Sequence, residues 1–274
     1  VGALQGLASA VLAFLTPEPV FLSHPEGGFA TFGSQHLCML AIMAALSAVL
    51  LRAFRRLPAG WGRGTARHRF LVTVAAVPLA LLGSRDAILI ARGLMTPNFW
   101  PLHICNICEF LNLALAVSEN RHVARVAYPW GMVGGIGALL LPGWTYCPVW
   151  SYASVGGFVE HTLMVVCCLC VVGGGLYRPS LRHLWEPTVA AAAGGLLFRF
   201  LNPVLDTNFF FVTWPVAAPF AWGVRRFGNP GFLVPYLLIA LVLWCAFDGL
   251  GLLLQGTLVH PENGGDEPNL SASA

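Results

Sequence analysis

The sequence contains no lysine, and charged side chains of all kinds make up only 10% of its 274 residues. A soluble domain carries about 25% charged residues. That shortfall leaves too little polar surface to keep a chain of this size in water, which excludes an ordinary soluble domain. The 15 basic residues are all Arg and leave a formal net charge of +3. They sit in short loops between apolar runs, as in a membrane protein, and give no reason to expect nucleic acid as a partner. The exclusive use of Arg reads as the codon bias of a GC-rich genome.

Other features are missing too. The apolar stretch from Val1 to Leu15 has neither a basic n-region nor a small-residue cleavage site, which argues against a removable signal peptide. It is short for a full span, and Pro17 and Pro19 end it. It reads as an interfacial or partly inserted segment on the outer side. The eight cysteines form no secreted disulfide framework, and Cys167, Cys168 and Cys170 read as packing within an apolar run. No internal repeat is evident.

What is present is hydrophobicity: 57% of the chain is apolar. About 20 mostly apolar residues cross a bilayer as a helix. Seven segments qualify, at 34–53, 70–92, 99–118, 124–142, 151–176, 184–203 and 231–255. The expected fold is therefore an all-α, polytopic membrane bundle. An outer segment 1–33 precedes a transmembrane domain 34–255, and a polar, disordered tail 256–274 follows. Arg placement orients the bundle. Arg52, Arg55, Arg56, Arg63, Arg67 and Arg69 follow the first span, Arg121 and Arg125 the third, Arg178 and Arg182 the fifth. With these loops cytoplasmic, the N-terminus lies outside. The pair Arg225–Arg226 violates the pattern, and a further short segment around 215–224 would account for it.

Ionisable groups within a span are expensive, and mark function by default. In this orientation most lie in the outer half: His36, Arg85, Asp86, His103, Glu109, Glu160, His161 and Arg199, with Asp248 the main exception. The asymmetry predicts a polar cavity open to the outer face. Cys105, Cys108, Glu109 and Asn112 follow an i, i+3, i+4, i+7 spacing and share one helical face, which should point into the bundle. Cys105 lies roughly 9 Å below the start of its span and His161 roughly 15 Å below the start of its own, so the two can meet. A Cys and a His in one cavity are a nucleophile and its base, or merely packing and a bridging imidazole. His36, His103, Cys105, Cys108, Glu109 and His161 are also potential metal ligands, although their spacing matches no standard zinc signature. Arg199 suits a lipid phosphate, or an ion pair with Glu109, Glu160 or Asp86.

These residues fall within recognisable segments: "FGSQHL" from Phe32, "WPLHICNI" from Trp100, "YPWGMVGGIGALLLP" from Tyr128, "FVEHTLM" from Phe158, "NPVLDTNFFFVTWP" from Asn202 and "GNPGFLVPYLL" from Gly228. Together they resemble the YwaF-like bacterial integral membrane proteins, which are related to an animal membrane acyltransferase acting on ether phospholipids. The resemblance implies a bacterial cytoplasmic membrane protein and an acyl-transfer site made of Cys105 and His161. His36, His103, Glu109, Arg199 and Asn208 would then bind substrate or support the pair. Many bacterial members carry Asp after the motif Cys, where this chain has Asn106.

Three functions compete. A phospholipid acyltransferase or transacylase would use Cys105 and His161 on phospholipid and lysophospholipid, without cofactor or metal. A thiol oxidoreductase would use Cys105-x-x-Cys108, but its outer loops offer only Cys147 as a relay. A lipid-binding or transport protein would use neither. The topology is tested directly. A cysteine placed between Arg56 and Arg63 should resist membrane-impermeant thiol reagents applied to intact cells, and labelling from outside would overturn the orientation.

Overall fold

The computed structural model describes residues 2–24, 27–215 and 218–258, and these contain helices and turns but no strand. Two short helices come first, α1 (Gly2–Phe14) and α2 (Glu18–Ser23). Then follow α3 (Ser34–Arg55), α4 (Ala66–Ala91), α5 (Ile104–Ser118), α6 (Arg121–Leu140), α7 (Tyr152–Gly173) and α8 (Trp185–Leu205). The short α9 (Ala218–Phe227) and the long α10 (Leu233–Leu254) close the bundle. Seven of these elements are long and apolar enough to cross a membrane, α5 and α8 doing so with a preceding 3-10 turn. They are the seven spans expected from hydropathy.

Local chemistry sets the helix starts. Thr65, Asn120 and Ser151 accept hydrogen bonds from the backbone N–H groups of His68, His122 and Ser154, capping α4, α6 and α7. The hub is α7, which packs on α3, α4, α5, α6 and α10. Its composition permits this: the buried Gly156, Gly157, Cys167, Cys168 and Cys170 are small enough for neighbours to approach closely. Gly131 and Gly135 of α6 complete the fit. A Cβ on Gly131 would stand 2.7 Å from the Cys168 Sγ, and one on Gly135 2.6 Å from Val165 Cγ2. The glycine-rich run therefore packs an unbroken helix rather than interrupting it.

Polar contacts tie one end of the bundle together. Arg67, almost wholly buried, donates to the carbonyls of Gly174 and Leu258, both at 3.2 Å, and its guanidinium lies 5.0 Å from the Phe54 ring centroid. His68 meets Glu119 at 3.0 Å and Arg125 meets Glu186 at 2.8 Å. The starts of α4, α6 and α8 thus gather with the ends of α5, α7 and α10, where the sequence places its Arg-rich loops. The tail differs from expectation at its beginning. Gly256 and Leu258 donate backbone bonds to Val172 and Gly173, so the chain caps α7 before the remainder of the predicted tail, 259–274, passes outside the described residues. The extra segment expected around 215–224 is present as α9, which at ten residues is about 15 Å long, too short to cross.

The α6–α7 contact makes a direct prediction. Gly131→Ala should destabilise the protein by about 1–3 kcal/mol through overpacking, and in a Cys168→Ala background the same substitution should be nearly silent. Thermal unfolding in detergent measures both; equal losses in the two backgrounds would contradict the contact.

Candidate functional site

The polar stripe on α5 points inward as its spacing required. Cys108, Glu109 and Asn112 are each 1–2% exposed, while Cys105, one turn nearer the helix start, is half-buried. Both α5 and α7 run from the Arg-poor end of the bundle toward the Arg-rich end. Asn112 Nδ2 of α5 and Cys168 Sγ of α7 converge on Gly131 of α6. Seven residues back along each helix, two turns or about 10.5 Å, stand Cys105 and His161. The two side chains therefore occupy one depth on neighbouring helices that pack together. They are not hydrogen-bonded, because His161 Nε2 has no protein partner.

The state of His161 is fixed. Its Nδ1 lies 2.7 Å from the carbonyl of Gly157, one turn back on α7. A carbonyl only accepts, so Nδ1 carries the proton, and in the neutral ring the lone pair stands at Nε2. The ring stacks on Trp144 at 5.3 Å between centroids. Glu109 and Glu160 lie within electrostatic range of the Cys105 sulfur, and Tyr236 of α10 lies within range of it too. Both Glu109 oxygens are buried without a hydrogen bond of ordinary geometry. Arg85, paired with Asp86 at 2.8 Å, also donates to the carbonyl of Phe99 and so fastens the approach to α5.

The other candidates divide by their contacts. His36 is fully buried; its Nδ1 accepts from Phe32 N–H at 2.9 Å and its Nε2 reaches the Leu139 carbonyl at 2.8 Å. With both nitrogens bonded it bridges α3 and α6, a supporting role. His103 caps nothing with its side chain; its Nε2 bonds the carbonyl of Asn98, and its ring meets Phe209 and Phe211 at 4.9 and 6.0 Å. Asn208 binds Thr213 N–H, Trp214 N–H and the Trp214 carbonyl. Its amide oxygen and one of its two N–H donors are engaged in the turn after α8, a supporting role. Asn202 does the same from within α8, bonding Thr207, Phe209 and Thr213. Together they hold a segment in which Asp206, Phe210 and Phe211 take positive φ, a conformation unfavourable for side chains other than Gly. That segment packs Phe209, Phe210 and Val212 into the core that Cys105 borders.

Arg199 enters none of the ion pairs weighed for it. It donates to the Val212 carbonyl at 3.4 Å, and no described carboxylate pairs with it. The two cavities described lie elsewhere. One, of about 10 Å³ and so with room for about a single water, is lined by Glu18, Arg85 and Tyr152; the other, an open groove of about 540 Å³, runs between α1 and the turn before α7. Neither reaches Cys105, His161 or Arg199, so the lipid-sized cavity expected around them is not among these. No three His, Cys, Asp or Glu side chains converge as a metal site among the described residues.

Sequence reasoning passed over Trp144, Gly157 and Tyr236. Gly157 had a signal, since it sits one turn before His161 where a helical carbonyl meets the ring. Trp144 and Tyr236 come from distant segments and had none. Comparison with protein-family models matches residues 31–248 to the family described as the TMEM164 family. No curated protein and no solved structure matches the chain.

Cys147, the relay cysteine expected for the redox reading, is fully buried in the turn between α6 and α7 beside Tyr146, whose hydroxyl donates to Glu18. Burial, then the charge of Glu18, pushes its thiol up to about 12. At pH 8 the thiolate is then on the order of one part in 10⁴, and the thiolate is the reactive form. Iodoacetamide at pH 8 should leave Cys147 unmodified in folded protein and modify it after unfolding, with reactivity gained only as pH rises toward 12. Rapid modification of the folded protein at pH 8 would restore Cys147 as a redox relay.

Proposed function

The chain belongs to the TMEM164 family, and on that premise we propose that it is a membrane-embedded phospholipid acyltransferase with Cys105 as nucleophile and His161 as its base. The observation that carries this reading is the unpartnered Nε2 of His161, a buried basic lone pair held in one tautomer by Gly157 at the depth of Cys105. An unsatisfied buried acceptor costs about 1–3 kcal/mol, and a proton-accepting role explains why it is kept. The resemblance of "PLHIC" and "VEH" to the acyltransferase-related proteins supports the same two residues.

The chemistry balances without a cofactor. His161 Nε2 takes the Cys105 thiol proton as the sulfur adds to an ester carbonyl of the donor phospholipid. The ester C–O bond breaks, the leaving alkoxide takes the proton back from His161, and lysophospholipid departs. The acyl chain remains as a thioester on Cys105. A lysophospholipid hydroxyl then gives its proton to Nε2 and attacks the thioester, the C–S bond breaks, and the thiolate is reprotonated. Glu109, one turn along α5 from Cys105, orients the reacting groups. Arg199, with most of its guanidinium N–H groups uncommitted, seats the phosphate. A site in the Arg-poor half of the bundle faces the outer leaflet, where a phospholipid donor is at hand and a cytosolic thioester donor is not. Water in place of the acceptor would make the same site a lipid hydrolase.

Purified protein in mixed micelles with labelled phospholipid and lysophospholipid tests the assignment. Cys105→Ala should abolish transfer and Cys108→Ala should leave most of it. His161→Ala should lower the rate by ~10²–10⁴-fold, with each variant's melting temperature recorded alongside. No acyl transfer in the parent, together with a Cys105–Cys108 disulfide trapped under ambient redox conditions, would favour thiol redox chemistry instead.

A further inference from the structure

The helix α9 is not needed for the chemistry above, yet it carries the two Arg residues that break the charge pattern of the chain. It joins α8 to α10 at the end of the bundle opposite Arg67, His68 and Arg125, and is too short to carry its charges across. One line of the helix is committed to protein: Gly223 is buried against Phe232 and Pro235 of the α10 start. Trp222, Arg225 and Arg226, spaced i, i+3, i+4, share an outward face and are all exposed. Phe227 is exposed as well and meets Trp222 edge-on at 5.9 Å. Neither arginine has a carboxylate partner among the described residues.

We propose that α9 is an interfacial helix whose Trp222–Arg225–Arg226 face binds the phosphate of anionic phospholipids at the Arg-poor end of the bundle. Trp belongs at the level of the headgroups, where its ring meets lipid and its N–H edge meets water, and Phe anchors an interfacial helix in the apolar boundary below. Two adjacent guanidinium groups at that level complement an anionic headgroup through paired N–H donors. The helix is also held in a fixed place relative to the bundle. Asn229, just past its end, donates to the carbonyl of Thr213 at 2.8 Å, in the segment that Asn208 organises. The lipid so gathered would stand beside the start of α10. The binding itself does not depend on acyl transfer.

Photo-crosslinking tests this in full-length protein reconstituted into phosphatidylcholine nanodiscs. One trace probe is a phosphatidylglycerol analogue with a diazirine at headgroup level, the other a phosphatidylcholine analogue with the same reporter. Peptides covering 214–232 should take up the anionic probe in preference, by roughly thirtyfold for two arginines at low salt. That excess should fall toward unity in Arg225→Gln/Arg226→Gln and at high salt, and survive in Arg225→Lys/Arg226→Lys. Arg52→Gln/Arg55→Gln, at the far end, should leave α9 labelling unchanged. Equal labelling by both probes, an excess that persists in the Gln pair, or an equal loss in the far-end variant would overturn the proposal. Because labelling is read without turnover, failure of the acyltransferase reading would leave this result standing.

Discussion

A bilayer offers no water to a polar atom, so each buried donor or acceptor in this chain either finds a partner within the protein or stands as an exception that needs a reason. Most find one. Arg67, His36, Asn202 and Asn208 each fasten two segments through carbonyl or N–H groups. Among the described residues, the unpartnered side-chain atoms fall into two groups: both Glu109 oxygens and Asn112 Oδ1 on α5 with Ser154 Oγ, His161 Nε2 and Thr162 Oγ1 on α7, and, apart from these, Arg67 Nε, Trp144 Nε1, Trp244 Nε1 and Asp248 Oδ1. The larger group lies on two adjoining helices, one of which carries Cys105, and polar potential left open there is what a site for a polar reaction requires.

Packing makes that concentration possible. The missing side chains at Gly131 and Gly135 let α6 bring α5 and α7 to a common level, so a residue count along each helix becomes a statement of depth. Gly157 then serves as the hydrogen-bond acceptor that holds the His161 ring in one tautomer. The segment after α8 closes the other side. Its three left-handed residues are tolerated because two asparagines over-determine them, and its Phe side chains wall off the core next to Cys105. Stability and chemistry are supported by the same contacts here, which is why melting temperatures accompany every activity measurement above.

Much of this was legible in the sequence. The seven spans follow from hydropathy because crossing length is a property of the chain itself. The inward face of Cys105, Cys108, Glu109 and Asn112 follows from helical period alone. His36 and Asn208 were legible as residues that bind substrate or support the pair, but their partners were not, because these are a carbonyl at Leu139 and backbone groups at 213–214 that only the folded chain brings near. Arg67 looked like one loop arginine among six until α4 was seen to begin at Ala66, which buries it. The tail looked free from Gly256 because nothing in its composition announces that Leu258 caps α7. Arg225 and Arg226 were the reverse case, an anomaly visible in the sequence whose explanation required the position of α9.

The central claim is that Cys105 becomes acylated with His161 as its base, and intact-protein mass measurement tests it most directly. Folded protein is incubated with a phospholipid of defined acyl chains, without lysophospholipid acceptor, then quenched in acid. The account predicts one acyl adduct, mapped to the peptide containing Cys105, cleaved by hydroxylamine, absent in Cys105→Ala and formed far more slowly in His161→Ala. A folded protein that gains no adduct and releases neither lysolipid nor fatty acid across a broad panel of phospholipids would contradict it.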